Sequence, residues 1–144
     1  MALEIRKYPP VKLSHYPHLW DRDVHLWERF IDQYGNRFTQ FAYDVRVGDG
    51  IEVDPSWPEW LQYDAKVLTQ KRIDVVGYQP STIWIFEVKP YAGLSAVGQV
   101  VGYMTLFSKQ FKPSLPLQGA IVTDVPQPDI DKICQELKII IFRV

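Results

Sequence analysis

The stretch Arg72-Ile-Asp-Val-Val-Gly-Tyr-Gln-Pro-Ser-Thr-Ile-Trp-Ile-Phe-Glu-Val-Lys89 holds two apolar runs on either side of Gln79-Pro80-Ser81-Thr82. Proline suits the second position of a type I turn, so the two runs read as a hairpin with strands at about 66–78 and 82–89. With the turn centred between Pro80 and Ser81, residues whose numbers sum to 161 face each other, and Asp74 falls opposite Glu87. Directly opposed residues have Cβ atoms roughly 4.5–5.5 Å apart. Two carboxylates that close destabilise a fold unless a proton or a cation intervenes. Magnesium takes oxygen ligands, so Asp74 and Glu87 are candidate ligands of Mg2+, and the Val88 carbonyl could add a further oxygen. The strand period of two puts Glu87 and Lys89 on one face, where a lysine ammonium can orient water.

Acid-x-Lys is a weak pattern, and it occurs three times: Asp64-Ala-Lys66, Glu87-Val-Lys89 and Glu136-Leu-Lys138. Asp64 leaves a loop and Glu136 ends a helical segment, where a solvated or capping charge suffices as explanation. Glu87 alone closes a strongly apolar strand and has a carboxylate facing it. Charge distribution singles it out too. Residues 21–64 carry ten acids and four bases, whereas residues 65–115 carry six bases and two acids, Asp74 and Glu87.

Outward from the hairpin, the chain reads as an α/β domain. The first twenty residues, with Pro9, Pro10 and Pro17 among Tyr8, Tyr16 and Trp20, form an extended arm that lies along this domain or a partner. A helix capped by Asp21 or Asp23 carries Val24, Trp27, Phe30, Ile31 and Tyr34 on one face and stops near Gly35. Phe41–Val47 alternates as a strand, and residues 51–64, with Trp57-Pro58 and Trp60, read as an irregular insertion. After the hairpin, Val97, Val100, Val101, Met104 and Phe107 recur at helical spacing over 95–109, with Gly98 and Gly102 permitting close approach to the sheet. Gly119–Thr123 is a buried strand, Pro128–Leu137 a short helix, and 138–144 a final strand apolar on both faces. The order is αβββαβαβ, with residues 1–20 as arm and 21–144 as one domain.

Composition bounds the alternatives. In 144 residues, 47% hydrophobic and 14% aromatic content suits one compact domain. The lone cysteine, Cys134, reads as a small buried hydrophobe, and three histidines, at 15, 18 and 25, scattered over an arm and a helix start, argue against a zinc site. No secretory signal or membrane span is evident, which points to a soluble protein of the cytoplasm, or of a host-cell cytoplasm, or associated with a virion. A net charge of -1 does not advertise nonspecific nucleic-acid binding. Trp57 and Trp60 could stack on unpaired bases, but packing across a loop or a partner interface is the plainer expectation.

Asp74, Glu87-Val88-Lys89 and the order of elements together resemble the PD-(D/E)XK nuclease superfamily, over nearly the whole chain after residue 21. The resemblance implies a restriction-endonuclease-like three-layer core, a central mixed sheet flanked by helices. It implies Asp74 and Glu87 as metal ligands and Lys89 as the catalytic lysine. Many members add a glutamine on the next helix and a glutamate on the first, positions matched here by Gln99 and Glu28. Tyr103 follows Gln99 one turn later on the same helix face. The chain departs from the consensus in having Ile73 where the name suggests proline, with Arg72 before it.

The resulting expectation is a Mg2+-dependent endonuclease or phosphodiesterase acting on nucleic acid, with DNA the first choice and Mn2+ a substitute metal. The rival is a binding or assembly protein that keeps the nuclease fold, an accessory subunit or phage structural component. A homodimer or larger assembly through the arm would supply recognition surface that so small a chain lacks. A junction or repair nuclease is disfavoured by the sequence pI of about 6.3.

Overall fold

A computed structural model describes residues 5–125 and 127–144, so the first four residues of the arm lie outside the described residues. Over the described residues the fold is α/β, with four α-helices and one five-stranded mixed sheet of order β1-β2-β3-β4-β5. Helix α1 is Asp21–Tyr34, followed by a 3-10 turn at Gly35–Arg37 and strand β1, Gln40–Val47. Then come α2 (Glu59–Thr69), β2 (Lys71–Tyr78), β3 (Ile83–Val88), α3 (Leu94–Phe111), β4 (Leu117–Thr123), α4 (Pro128–Leu137) and β5 (Ile140–Arg143).

Strands β1, β2 and β3 pair antiparallel, β1 with β2 across the segment that holds α2 and β2 with β3 through a tight turn, and β3, β4 and β5 pair parallel through the α3 and α4 crossovers. Helix α1 covers one face. Its Trp27 and Phe30, both fully buried, pack on Phe41, Val75 and Phe86 of three adjacent strands. Helix α3 covers the other face, with Tyr103 and Phe107 on Val45, Ile73 and Ile85, and α4 joins it there through Ile130 and Cys134. The sheet is therefore the middle of three layers.

The order αβββαβαβ is corrected by α2. The Trp57-Pro58 pair, read as irregular, is the entry to a helix: Pro58 is its N-cap, and the Leu61 N–H donates to the Pro58 carbonyl at 2.9 Å. Proline at a helix start costs nothing, because the first N–H groups have no intrahelical partner. The strand expected from residue 66 begins at Lys71 instead. Helix α1 also departs in detail, since Trp20 is its N-cap and no side chain caps it, with Asp21 and Asp23 in the first turn. The last strand is a half-exposed edge rather than a strand buried on both faces, with Ile140 exposed.

The arm lies along its own domain. Tyr8 exchanges backbone hydrogen bonds with Phe41 at the edge of β1, and the Tyr16 side chain is buried in the α1-side core. Cys134 is a buried free thiol. Among the described residues, no helix is long and apolar enough to cross a membrane.

The helix glycines do not serve close packing. A Cβ at Gly98 or Gly102 would meet nothing within 4 Å, whereas one at Gly119 on β4 would come within 2.7 Å of Met104 Sδ and Val100 Cγ1. The close approach of α3 to the sheet is thus made by a glycine on the strand. Gly98→Ala is expected to raise stability by about 0.5–1 kcal/mol, because alanine restricts the unfolded chain at no steric cost. Gly119→Ala is expected to lower it by about 1–3 kcal/mol through overpacking. Urea unfolding of both variants checks the pair of opposite signs.

Candidate active site

The β2–β3 register is the one the turn implies. Val75 faces Phe86, Val76 faces Ile85, and Tyr78 faces Ile83, all sums of 161. One step further the ladder gives way: Asp74 Oδ2 accepts the Val88 N–H at 2.9 Å, a side chain taking the place of a backbone carbonyl. The same break crosses to β1, where Tyr43 pairs with Val75 and Val45 with Ile73, but the intervening Asp44 and Asp74 are unpaired. Asp44 has a φ of 54°, a left-handed conformation uncommon for a residue with a side chain. Along one row across three strands the chain therefore places Asp44, Asp74 and Glu87.

The outermost acid of this row is neutralised. Arg72 grips Asp44 through two hydrogen bonds of 2.5 and 2.6 Å, the bidentate form that makes arginine–carboxylate pairs strong. Arginine at the position before Ile73 thus has a task of its own. The other two acids are left facing each other at the floor of a cleft of about 880 Å³. Its walls are the end of the arm from His18, the first turn of α1, the end of β3 with Lys89 and Tyr91, and Gln99 and Tyr103 from α3. It opens at the C-terminal ends of the parallel strands, where α/β sheets commonly bind ligands.

Glu87 is 5% exposed, and its Oε2 has no hydrogen-bond partner among the described residues. Burial pushes its carboxyl well above the usual carboxylate range, and the facing Asp74 pushes it further, against the opposing pull of Lys89. Asp74 is raised as well, first by burial and then by Asp23, while the Val88 N–H holds it down. Gln99 presents a second orphan, a buried Oε1 without a partner. Tyr103, beside it in the cleft, is pushed up to about 12 by burial and then by Glu87 and Asp74. Buried acceptors left unmatched cost about 1–3 kcal/mol each, so two in one cleft mark where a water, a proton or a cation would be held.

Lys89 lies one residue past β3, exposed, with its N–H bonded to the Val122 carbonyl at 3.0 Å. The following turn is held from β4 and its loop: Tyr91 N–H donates to Asp124 Oδ1 at 2.9 Å, and Ala92 N–H to Thr123 Oγ1 at 3.1 Å. Asp74, Glu87, Lys89 and Gln99 therefore share the cleft, and Glu28 does not line it. Glu28 accepts a hydrogen bond from the Tyr16 hydroxyl of the arm at 3.2 Å. The acid that α1 brings to the cleft is Asp23, which lies five residues, or about 140° around the helix, from Glu28. Asp23 is raised chiefly by burial, with Lys89 drawing it down. Which of these two acids enters the cleft is set by how α1 docks on the sheet through Trp27 and Phe30. His18, read as a scattered surface residue, also lines the cleft.

A comparison with known families, curated proteins and solved structures finds no match. Among the described residues no three His, Cys, Asp or Glu side chains form a ready-made ligand set. What the cleft offers is the facing Asp74 and Glu87 carboxylates, Asp21 and Asp23 on its α1 wall, the Gln99 amide oxygen and backbone carbonyls, all hard oxygen donors, with His18 the one imidazole and no thiolate among the described lining residues. That donor set fits Mg2+ or Mn2+ rather than zinc.

Proposed function

We propose that the protein is a metal-dependent nuclease of PD-(D/E)XK type, with the restriction-endonuclease-like core elaborated by α2, cutting DNA at this cleft. The observation that carries the reading is the buried Asp74–Glu87 pair, with Glu87 Oε2 unmatched and Lys89 at the rim. Asp74 and Glu87 would hold Mg2+ or Mn2+, with the Val88 carbonyl as a further oxygen. When bound, such a metal neutralises phosphoryl oxygens and lowers the pKa of water. Lys89 orients the attacking water and faces the phosphate as a cation. Gln99 offers its amide to water or to phosphate. Asp23, on the α1 wall of the cleft, lies within electrostatic reach of Lys89, and Arg72 keeps Asp44 from adding a further uncompensated charge.

Exposed Trp20, Trp57 and Trp60 favour a second reading, a nuclease-fold binding or assembly protein. Cleavage decides between them. Wild type is tested on supercoiled, linear, single-stranded and branched DNA with Mg2+, Mn2+ or EDTA, alongside Lys89→Ala. Cutting in either metal and none in EDTA is expected, and Lys89→Ala should slow it about a hundredfold while keeping the metal-induced rise in melting temperature. Wild type that cuts none of these substrates in either metal overturns the nuclease reading.

A further inference from the structure

A second cleft, of about 410 Å³, opens on the far side of the Asp44–Arg72 pair. Asp44 lines this cleft and Arg72 lines the first, so the ion pair is the boundary the two share. Four cations stand around it: Arg6 of the arm, Arg46 of β1, Lys66 of α2 and Lys109 of α3. Asp44 is matched by Arg72, which leaves Asp49 as the one other acid of the lining. Among the described residues neither Lys66 nor Lys109 is in an ion pair. In a chain of net charge -1, such a surplus is a local device.

The walls are tied together. Gln70, the C-cap of α2, donates to the Gly48 carbonyl at 2.6 Å, and Gln110 of α3 accepts the Gly48 N–H at 2.9 Å and donates to the Arg46 carbonyl at 3.2 Å. Helix α2 itself contains no buried residue, and it leaves Trp60 66% and Tyr63 41% exposed. Tyr63 lines the cleft and Trp60 lies one helical turn before it. Exposed aromatic rings beside unpaired lysines are the two parts of a single-strand binding surface: bases stack on the rings while phosphates meet the cations. Duplex bases are already stacked on each other, and a cleft this size suits a nucleotide or two.

We propose that a nucleic-acid strand engaged at Asp74 and Glu87 continues, unpaired, past Asp44–Arg72 into this second cleft, where Lys66 and Lys109 contact phosphates and Tyr63 and Trp60 stack on bases. The nuclease reading supplies the first cleft's role, whereas binding in the second cleft is tested without it. Fluorescence anisotropy of a labelled oligothymidylate with the full chain in EDTA separates the two. The pair Lys66→Glu and Lys109→Glu should weaken binding at least about tenfold and reduce the salt slope by about 1.4, at 0.7 per lost single-strand contact. Tyr63→Ala with Trp60→Ala should weaken it about thirtyfold or more, and Tyr63→Phe with Trp60→Phe should restore it. These side chains are exposed, so melting temperatures should hold, and Lys66→Gln with Lys109→Gln gives a milder loss of the same kind should the reversed pair fold poorly. Wild-type affinity and salt slope in the lysine variants, or no binding by the wild type, overturn the proposal. So does equal weakening on duplex of the same length. Self-association lost in Trp60→Ala with unchanged affinity for the oligonucleotide assigns the aromatic face to a second copy and overturns it too. Absence of metal-dependent cutting together with these binding losses rejects the nuclease reading and leaves the single-strand cleft standing.

Discussion

Glu87→Gln is expected to abolish metal-dependent cutting and to make the metal-free protein more stable at neutral pH. The two effects share one cause. Glu87 is 5% exposed, faces Asp74 and has an oxygen with no partner, so its charge is costly without a cation. Above the ordinary carboxylate range, the folded chain must either hold two buried like charges or take up a proton. Glutamine removes that choice and can donate its amide toward Asp74. Each kcal/mol recovered should raise the melting temperature by about 2–4 °C in a domain of this size. The same substitution removes an anionic ligand, so the cutting rate should fall by at least about a thousandfold, the equivalent of some 4 kcal/mol of metal-derived stabilisation. Asp74→Ala should lose the rate equally. It should not gain the stability, because it strips the Val88 N–H of its acceptor. Calorimetry and cleavage on the same preparations read both signs, and wild-type cutting by Glu87→Gln would remove Glu87 from the site.

This juxtaposition of lost activity and gained stability locates what was legible in the sequence. The Asp74–Glu87 facing followed from a turn whose centre set the register, and register is strongly specified where both strands are apolar. Alternation did not reveal the break at Asp44 and Asp74. Tyr43 and Val75 serve the α1-side core while Val45 and Ile73 serve the other, so the side-chain phase shifts by one residue within both strands. In β1 the shift falls at Asp44, which is in the left-handed region, and a single aspartate within an alternating strand does not mark it. Helix α2 was hidden for a different reason. None of its residues is buried, and its apolar side chains Trp60, Tyr63 and Leu68 are exposed rather than gathered against a core. Glu28 and Asp23 show a third limit. Both lie on one amphipathic helix, and which acid enters the cleft depends on how α1 is docked by Trp27 and Phe30 and on the arm's Tyr16, which engages Glu28.

Magnesium is expected to stabilise the wild-type protein more as pH rises, while the metal-free protein moves in the opposite direction. Both Asp74 and Glu87 have carboxyls raised by burial, so between the ordinary carboxylate value of about 4 and their raised values the folded state binds more protons than the unfolded one. Stability then falls with increasing pH, being fully present below about pH 4 and lost progressively through neutrality as the pair is forced to ionise. Magnesium competes with those protons for the same oxygens. Its binding should be weak near pH 5 and stronger near pH 8, with a stabilisation of about 2.7 kcal/mol once its concentration reaches a hundred times its dissociation constant. Glu87→Gln should flatten the metal-free dependence and remove most of the magnesium effect, since both arise from the same carboxylate. Melting curves across pH 5 to 8, with and without magnesium, read this without any substrate. A metal-free protein that gains stability over that range, or a magnesium shift equally large in Glu87→Gln, would show that the buried pair is neither proton-linked nor the metal's ligand.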